Sequence, residues 1–263
     1  MGFFEYRCED RLYLKSNIFP SEVIHGFTSK LGGVSHGNIN GLNLGFRVND
    51  DIDAVMENYR FVAADLGFEL ENAVLSKQTH TDNIRIVTDN DRGKGIVKKS
   101  DIEDTDGLVT NIKEIALVVF SADCTPILLY DKKRKVAAAV HSGWRGTVKG
   151  IAPKCVALMN KHFGSDPTDI VAAAGPSIGP CCFEIGADIV GEFEEKYVTP
   201  KNNGKYMVDL WTKNRDMLMA SGLREENIDF CNICTVCESD KYYSYRTHRD
   251  KTGRQAAIIA ING

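Results

Sequence analysis

Three residues able to carry chemistry stand at the ends of apolar runs: His80 in KQTH, Cys124 in SADC and His141 in AAVHSGWRG. Each run reads as a strand, so a rigid core can deliver all three side chains to one point. Two imidazoles and a thiolate suit a zinc ion that keeps one position open. Cys124 and His141 equally suit a nucleophile and its general base. The intervals between the three are no metal signature, so spacing leaves both chemistries standing. The neighbours add weight to a functional reading. Asp123 precedes Cys124, and Ser142-Gly143-Trp144-Arg145-Gly146 follows His141. A carboxylate and a guanidinium at strand ends are costly to bury unless they are used.

Other clusters read more blandly. Cys231-x-x-Cys234-x-x-Cys237 has the outline of a metal run, but no fourth ligand is close in sequence, so it reads as a half-buried strand with incidental cysteines. Cys181 and Cys182 are too close along the chain for an easy disulfide and read as structural. The glycine-rich stretch KLGGVSHGNINGLNLG could offer backbone N–H groups to a phosphate. It is not a Walker A loop, because Lys30 precedes the glycines. In YYSYRTHRDKTGR, Arg246 lies nearest the strand body and is a candidate anion ligand; the alternative is a solvated hairpin.

The elements that must position these groups follow from periodicity. Glu22–Ser29 reads as a strand, and Asp51–Gly67 as a helix with Val55, Tyr59, Val62 and Leu66 on one face. Ala73–Ser76 and Asn83–Thr88 read as strands flanking KQTH. Glu114–Phe120, Pro126–Asp131 and Lys135–His141 follow as strands buried on both faces. Thr147–Phe163 reads as one helix whose start, near Gly146, points free N–H groups outward. Ile170–Ala174 is a short strand. Ala187–Tyr197 and Asp209–Ser221 read as helices, and Ile233–Val236, Tyr242–Arg246 and Gln255–Ile261 as closing strands. Strands that are grouped, not alternating with helices, predict an α+β fold with mixed sheets. Without repeats or linkers, a single domain over 1–263 is expected.

Composition narrows the partners. The chain has 263 residues, 43% of them hydrophobic, and a formal charge of -4 without a basic block, which argues against nucleic acid. No apolar run reaches membrane-spanning length, and the N-terminal stretch lacks a signal-peptide core. Eight cysteines in a long chain without an export signal read as reduced thiols in the cytoplasm.

The ordered motifs FTSKLGGVS, GLNLG, KQTH, TDGLVT, ADCTPILLYD, AAVHSGWRGTVKGI, GPSIGPCCFEIG, and SYR followed by TGR resemble a known family. Its members were named multicopper polyphenol oxidases or laccase-domain proteins and are now described as purine nucleoside phosphorylases; they include the peptidoglycan editing factor. The resemblance implies one domain of mixed β-sheets packed between helices, in α/β/β/α-like layers. It implies one zinc on His80, Cys124 and His141. It further implies phosphate-dependent cleavage of adenosine, inosine or methylthioadenosine to base and ribose 1-phosphate, with adenosine deamination beside it. The positions matching the family's pocket are Lys30, Asn43, Gln78, Asp123 and Arg145. Lys30 stands where the family commonly has Arg, which keeps the charge but loses the bidentate fork.

On this reading Asp123 is the candidate proton shuttle, and Lys30 and Arg145 are the phosphate ligands. The expected partners are a purine nucleoside and phosphate, with the protein a monomer or weak homodimer. The alternative is a hydrolase editing cell-wall precursors, with Cys124 as nucleophile and His141 as base. Copper fits poorly: multicopper sites need many histidines, often as H-x-H pairs, and this chain has six and no such pair.

Overall fold

The computed structural model describes residues 2–263. In chain order it runs β1 (Phe3–Cys8), β2 (Arg11–Ser16), β3 (Val23–Thr28), α1 (Ile52–Leu66), β4 (Ala73–Leu75), β5 (Ile84–Ile86), β6 (Gly107–Thr110), β7 (Ala116–Ser121), β8 (Thr125–Asp131) and β9 (Val136–Ser142). It continues with α2 (Trp144–Val148), α3 (Ile151–Phe163), β10 (Ile170–Ala174), β11 (Glu184–Ile185), β12 (Val198–Pro200), β13 (Tyr206–Val208), α4 (Leu210–Ala220), β14 (Ile228–Phe230), α5 (Tyr245–His248) and β15 (Gln255–Ile261).

Two six-stranded mixed sheets result. The first has the order β1-β2-β3-β15-β7-β4 and the second β14-β10-β8-β9-β6-β5; a small third sheet joins β11, β13 and β12. The alternation of side chains along a strand explains the layers. Leu117 and Val119 of β7 meet Leu128 and Tyr130 of β8 between the two large sheets. Ala116 and Val118 face the other way, onto Val55, Tyr59 and Val62 of α1. Ile127 and Leu129 face Ile151, Cys155 and Met159 of α3 and Leu218 of α4. Helix, sheet, sheet and helix therefore stack, as the grouped strands and the resemblance predict. Strands with both faces covered read as continuous apolar runs, and truncating such a side chain (Leu117→Ala) costs about 2–5 kcal/mol.

Helix α1 has the ends its sequence announces. The Asp51 carboxylate accepts from the Asp53 N–H at 2.8 Å, and Gly67 closes the helix in the left-handed region at φ 85°.

Several sequence expectations are corrected. The single helix over Thr147–Phe163 is two: α2 ends at Val148, and Gly150, at φ 75°, turns the chain before α3. The break arises because Gly150 adopts a left-handed conformation that a continuous helix cannot contain. The Ala187–Tyr197 segment holds two short 3-10 turns, with Phe193 and Tyr197 packed inward. Ile233–Val236 and Tyr242–Arg246 are not strands. The first contributes one bridge, Cys234 to Ser177, and the second leads into α5. The β1–β2 hairpin has no clean two-residue alternation to announce it: Phe4, Glu5 and Arg7 are exposed in β1, while Arg11 of β2 is buried.

Candidate functional site

Strand order assembles the trio. Cys124 lies in the connection from β7 in the first sheet to β8 in the second, and His80 lies in the connection from β4 to β5, which crosses between the same sheets. His141 is near the end of β9, and the antiparallel register sets it opposite Pro126, two residues beyond Cys124. One ligand atom from each of His80, Cys124 and His141 lies within 4.8 Å of the others, so the three can hold a metal ion. The two imidazole rings are 5.1 Å apart and nearly edge to face. His80 is exposed, Cys124 half-buried and His141 buried, so the group opens outward in that order.

A buried carboxylate organises the group. Asp106 sits just before β6, which pairs with β9, and its Oδ1 lies 2.7 Å from His141 Nδ1. The same carboxylate accepts from the backbone N–H groups of Thr79, His80 and Thr81 at 3.0–3.1 Å. Asp106 thus fixes the His141 ring with Nε2 turned away from it, and holds the loop that carries His80. The sequence signal was present, an acid at a strand start in TDGLVT, but periodicity assigns it no role.

Backbone geometry is specialised at the same place. His80 and Asp123 hold φ of 64° and 90°, a region that side chains with a Cβ seldom occupy. A Cβ on Gly143 would stand 3.0 Å from both Cys124 Sγ and His80 Cδ2. Glycine is what allows the β9–α2 turn to pass against the trio.

The electrostatics fit a thiolate. Burial pushes the Cys124 thiol up, but the His141 charge and hydrogen bonds from both imidazoles outweigh burial and bring it to about 6. Burial lowers His141, yet Cys124 and Asp106 raise it to about 9. Burial raises Asp106, while the His141 contact and the Thr79 and Thr81 N–H groups draw it below the usual range.

The trio borders a cavity of about 1040 Å³. Gln78, His80, Asp123, Cys124, His141, Arg145 and Arg246 all line it, and so do Arg47, Arg249 and Arg254, which sequence reasoning did not assign. Phe46, Phe120, Trp144, Phe183 and Tyr245 add aromatic wall. Arg246 donates to the carbonyls of Cys182 and Glu184 at 3.3 and 3.1 Å. Arg254 donates to those of Thr252 and Gly253 at 3.1 and 2.8 Å. Among the described residues, neither guanidinium has a carboxylate ion-pair partner. Burial draws Arg254 below its ordinary value, although the negative charges of Cys124 and Asp123 favour its cation.

Two expected pocket residues lie elsewhere. The Lys30 ammonium is bound to the Ser239 carbonyl and does not line the cavity. Asn43 is buried and accepts from Gly45 N and Arg254 N at 3.0 and 2.8 Å, so it anchors the backbone of a cavity arginine. The glycine-rich loop packs on itself and on Asn58 of α1; of its glycines, Gly45 reaches the cavity rim. Gln78 is clamped at both ends, to Phe120 O and Phe120 N at 2.9 and 2.7 Å. Asp123 has both oxygens occupied, by the Thr235 hydroxyl at 2.7 Å and the Arg246 N–H at 2.6 Å. The expected helix start at Gly146 is instead the inside of the five-residue α2. Arg145 stacks on Trp144 at 4.3 Å and is exposed toward the cavity.

The cysteine run also differs from its sequence reading. Cys234 and Cys237 meet Cys181 and Cys182, and all four thiols lie within 4.8 Å of one another.

With this geometry in hand, likeness to known proteins is informative. Residues 24–262 match the family model described as multi-copper polyphenol oxidoreductase laccase. The chain is 35% identical over 256 residues to the purine nucleoside phosphorylase YlmD of Bacillus subtilis (strain 168), covering 95% of this chain and 92% of that protein. It is 34% identical over 242 residues to adenosine deaminase RL5 of an unknown prokaryotic organism, covering 89% and 92% respectively. The crystal structure of YlmD from Geobacillus stearothermophilus superposes with a TM-score of 0.93 at 33% identity, covering 100% of both chains. No helix among the described residues is long and apolar enough to cross a membrane.

Proposed function

The chain belongs to the multi-copper polyphenol oxidoreductase laccase family, and from that premise we propose that it is a zinc-dependent purine nucleoside phosphorylase. Its substrates on this reading are adenosine, inosine and methylthioadenosine, with adenosine deamination as a side activity. We further infer that it works in the cytoplasm, where its unpaired thiols persist.

One observation carries the reading. A three-ligand metal set borders a cavity whose wall joins aromatic rings to guanidinium groups that lack carboxylate partners. Aromatic faces suit a planar base, and unpaired arginines suit phosphate. The relatives named purine nucleoside phosphorylase and adenosine deaminase support the same substrate class.

The donor set fits one tetrahedral zinc with an open position. Two imidazoles and a thiolate are borderline-soft ligands, and Asp106 supplies the carboxylate that orients a ligating histidine. When bound, the ion supplies a Lewis acid at the cavity wall.

The remaining work belongs to the chain. In phosphorolysis a phosphate oxygen bonds to the anomeric carbon while the glycosidic C–N bond breaks, and the purine leaves with the electron pair. The barrier falls when phosphate is held in line and its charge is met by fixed cations. Arg145, Arg246 and Arg254 take that role here, and Lys30 does not. Asp123 is a positioning residue, because its carboxylate docks the first turn of α5 and so aims Arg246.

A second reading has its own observation in favour. Cys124, His141 and Asp106 stand in the order nucleophile, base and orienting acid, the arrangement of a cysteine hydrolase. Such an enzyme has no need of His80 at the same point.

The deciding experiment measures bound metal and incubates the purified protein with adenosine, with and without phosphate. Adenine and ribose 1-phosphate should appear only with phosphate and vanish in Cys124→Ala. Absence of both products from metal-loaded enzyme would overturn the proposal.

A further inference from the structure

We propose that Cys181, Cys182, Cys234 and Cys237 form a second metal site: a closed tetrathiolate that holds one thiophilic divalent ion, such as zinc, and clips together two walls of the cavity. The site is separate from the His80–Cys124–His141 trio and does not depend on its reading.

Geometry makes the case. Cys237 Sγ lies 3.6 Å from both Cys181 Sγ and Cys182 Sγ, and all four sulfurs fall within 4.8 Å. A tetrahedral ion with metal–sulfur bonds of about 2.3 Å places its sulfurs about 3.8 Å apart. A disulfide requires about 2.0 Å instead. A multi-iron cluster needs room for several irons between its thiolates, and this spacing holds only one ion. Ligand number points to a structural role, since four thiolates leave no position open. None of the four lines the cavity.

The surrounding backbone is built for the cluster. The Gly179 N–H donates to Cys234 Sγ at 3.3 Å, and a Cβ on Gly179 would come within 3.3 Å of Cys181 Sγ and 2.7 Å of Trp211. The two contributing segments are held side by side, with Ser177 N donating to Ile233 O at 3.2 Å and Thr235 N to Ser177 O at 3.1 Å. Cys155 shows the contrast: it lies alone in the apolar face of α3, and burial raises it to about 12. Four thiols brought from two distant segments to one point, two of them exposed, do not pack as incidental hydrophobes.

The clip has a mechanical consequence. One segment carries Ile178, Phe183 and Glu184 into the cavity wall, and the other leads to Tyr245 and Arg246. Arg246 already bonds to the carbonyls of Cys182 and Glu184. An ion on the four thiolates joins the same two segments covalently, so it restrains the wall that aims this guanidinium.

The test uses the full chain, purified under reducing conditions, with metals counted by elemental mass spectrometry. The His80→Ala/Cys124→Ala variant should keep about one equivalent of ion, and the Cys181→Ser/Cys237→Ser variant should lose that equivalent. If the trio holds no metal, wild type carries only the ion that the cysteine variant loses, so the two sites fail separately. Cobalt(II) loaded into His80→Ala/Cys124→Ala should give sulfur-to-cobalt charge-transfer absorption of a tetrathiolate. This arm needs no cysteine change, and it decides the matter even if the cysteine variant does not fold. No ion and no such absorption in His80→Ala/Cys124→Ala would overturn the proposal. So would an intact mass showing that these cysteines are joined as disulfides in metal-free wild type.

Discussion

Among the described residues, sulfur can meet metal in two places, and they are built in opposite ways. At the trio, two nitrogens and one sulfur converge from the end of β9 and from two connections between the large sheets, and the fourth direction is the cavity. At the cysteine cluster, four sulfurs converge from turns, away from the cavity. The trio is oriented by a buried carboxylate, Asp106, whereas Cys234 is met by a backbone N–H from Gly179. Ligand number separates the roles: three protein ligands leave room for chemistry, and four exclude it. A carboxylate behind an imidazole tunes a reactive centre, while a glycine turn fitted to a thiol fixes a shape.

If the contrast is right, the largest effect belongs to the trio. His80→Ala or Cys124→Ala should lower phosphorolytic kcat/KM by about a thousandfold or more, the loss of several kcal/mol of transition-state stabilisation. Cys181→Ser should keep most of the activity. An equal collapse in both would merge the two regions into one functional unit. Gly143→Ala comes next. Its new Cβ would press on Cys124 Sγ and His80 Cδ2 at 3.0 Å without removing a ligand. The ligands must give by a fraction of an ångström, so the loss should approach but not exceed the roughly hundredfold cost of a 1 Å misplacement. Steady-state kinetics beside metal content would show activity falling further than occupancy.

Asp106→Asn probes how the trio is held. Asparagine keeps the size but offers one acceptor where Asp106 serves four donors. A roughly 10–100-fold loss in metal affinity or activity is expected. Competition with a metal indicator measures it, and unchanged affinity and rate would remove Asp106 from the site.

Legibility in the sequence divides along the same line. The trio is visible because each member follows or closes an apolar run, and the strands β7, β8 and β9 agree with continuous burial to within a residue or two. Helix α1 was visible for a similar reason, with a 3.6-residue stripe and both caps written in Asp51 and Gly67. The cysteine cluster was hidden. Its two halves lie in separate turns, brought together by tertiary contacts such as the pairing of Ser177 with Cys234. Local pattern misread that segment as strand because Ile233, Thr235 and Val236 have strand propensity, while the tertiary contact needed a turn. Asp106 was hidden differently: the acid was plain, but its partner His141 is fixed by β6–β9 register, which no single-strand pattern contains. Lys30 and Asn43 were carried by resemblance, and the chain spends both on holding backbone.

The smallest effect is the most discriminating, because it tests a side-chain hydrogen bond that joins the two regions. Thr235 lies between Cys234 and Cys237 and is fully buried; its hydroxyl donates to Asp123 Oδ1 at 2.7 Å, next to Cys124. The other Asp123 oxygen takes the Arg246 N–H. Thr235→Val removes the donor and leaves a buried carboxylate oxygen unsatisfied, at about 1–3 kcal/mol of stability. Asp123 is then freer to shift, and α5 with Arg246 shifts with it. The expected loss in kcat/KM is roughly 3- to 10-fold, about 1 kcal/mol of positioning. Metal content at both sites should be unchanged, since no ligand is touched. Thr235→Ser restores the hydroxyl and should restore the rate. A Val variant as active as wild type, or a Ser variant as impaired as Val, would mean that the cluster stabilises the fold without aiming the cavity's arginine.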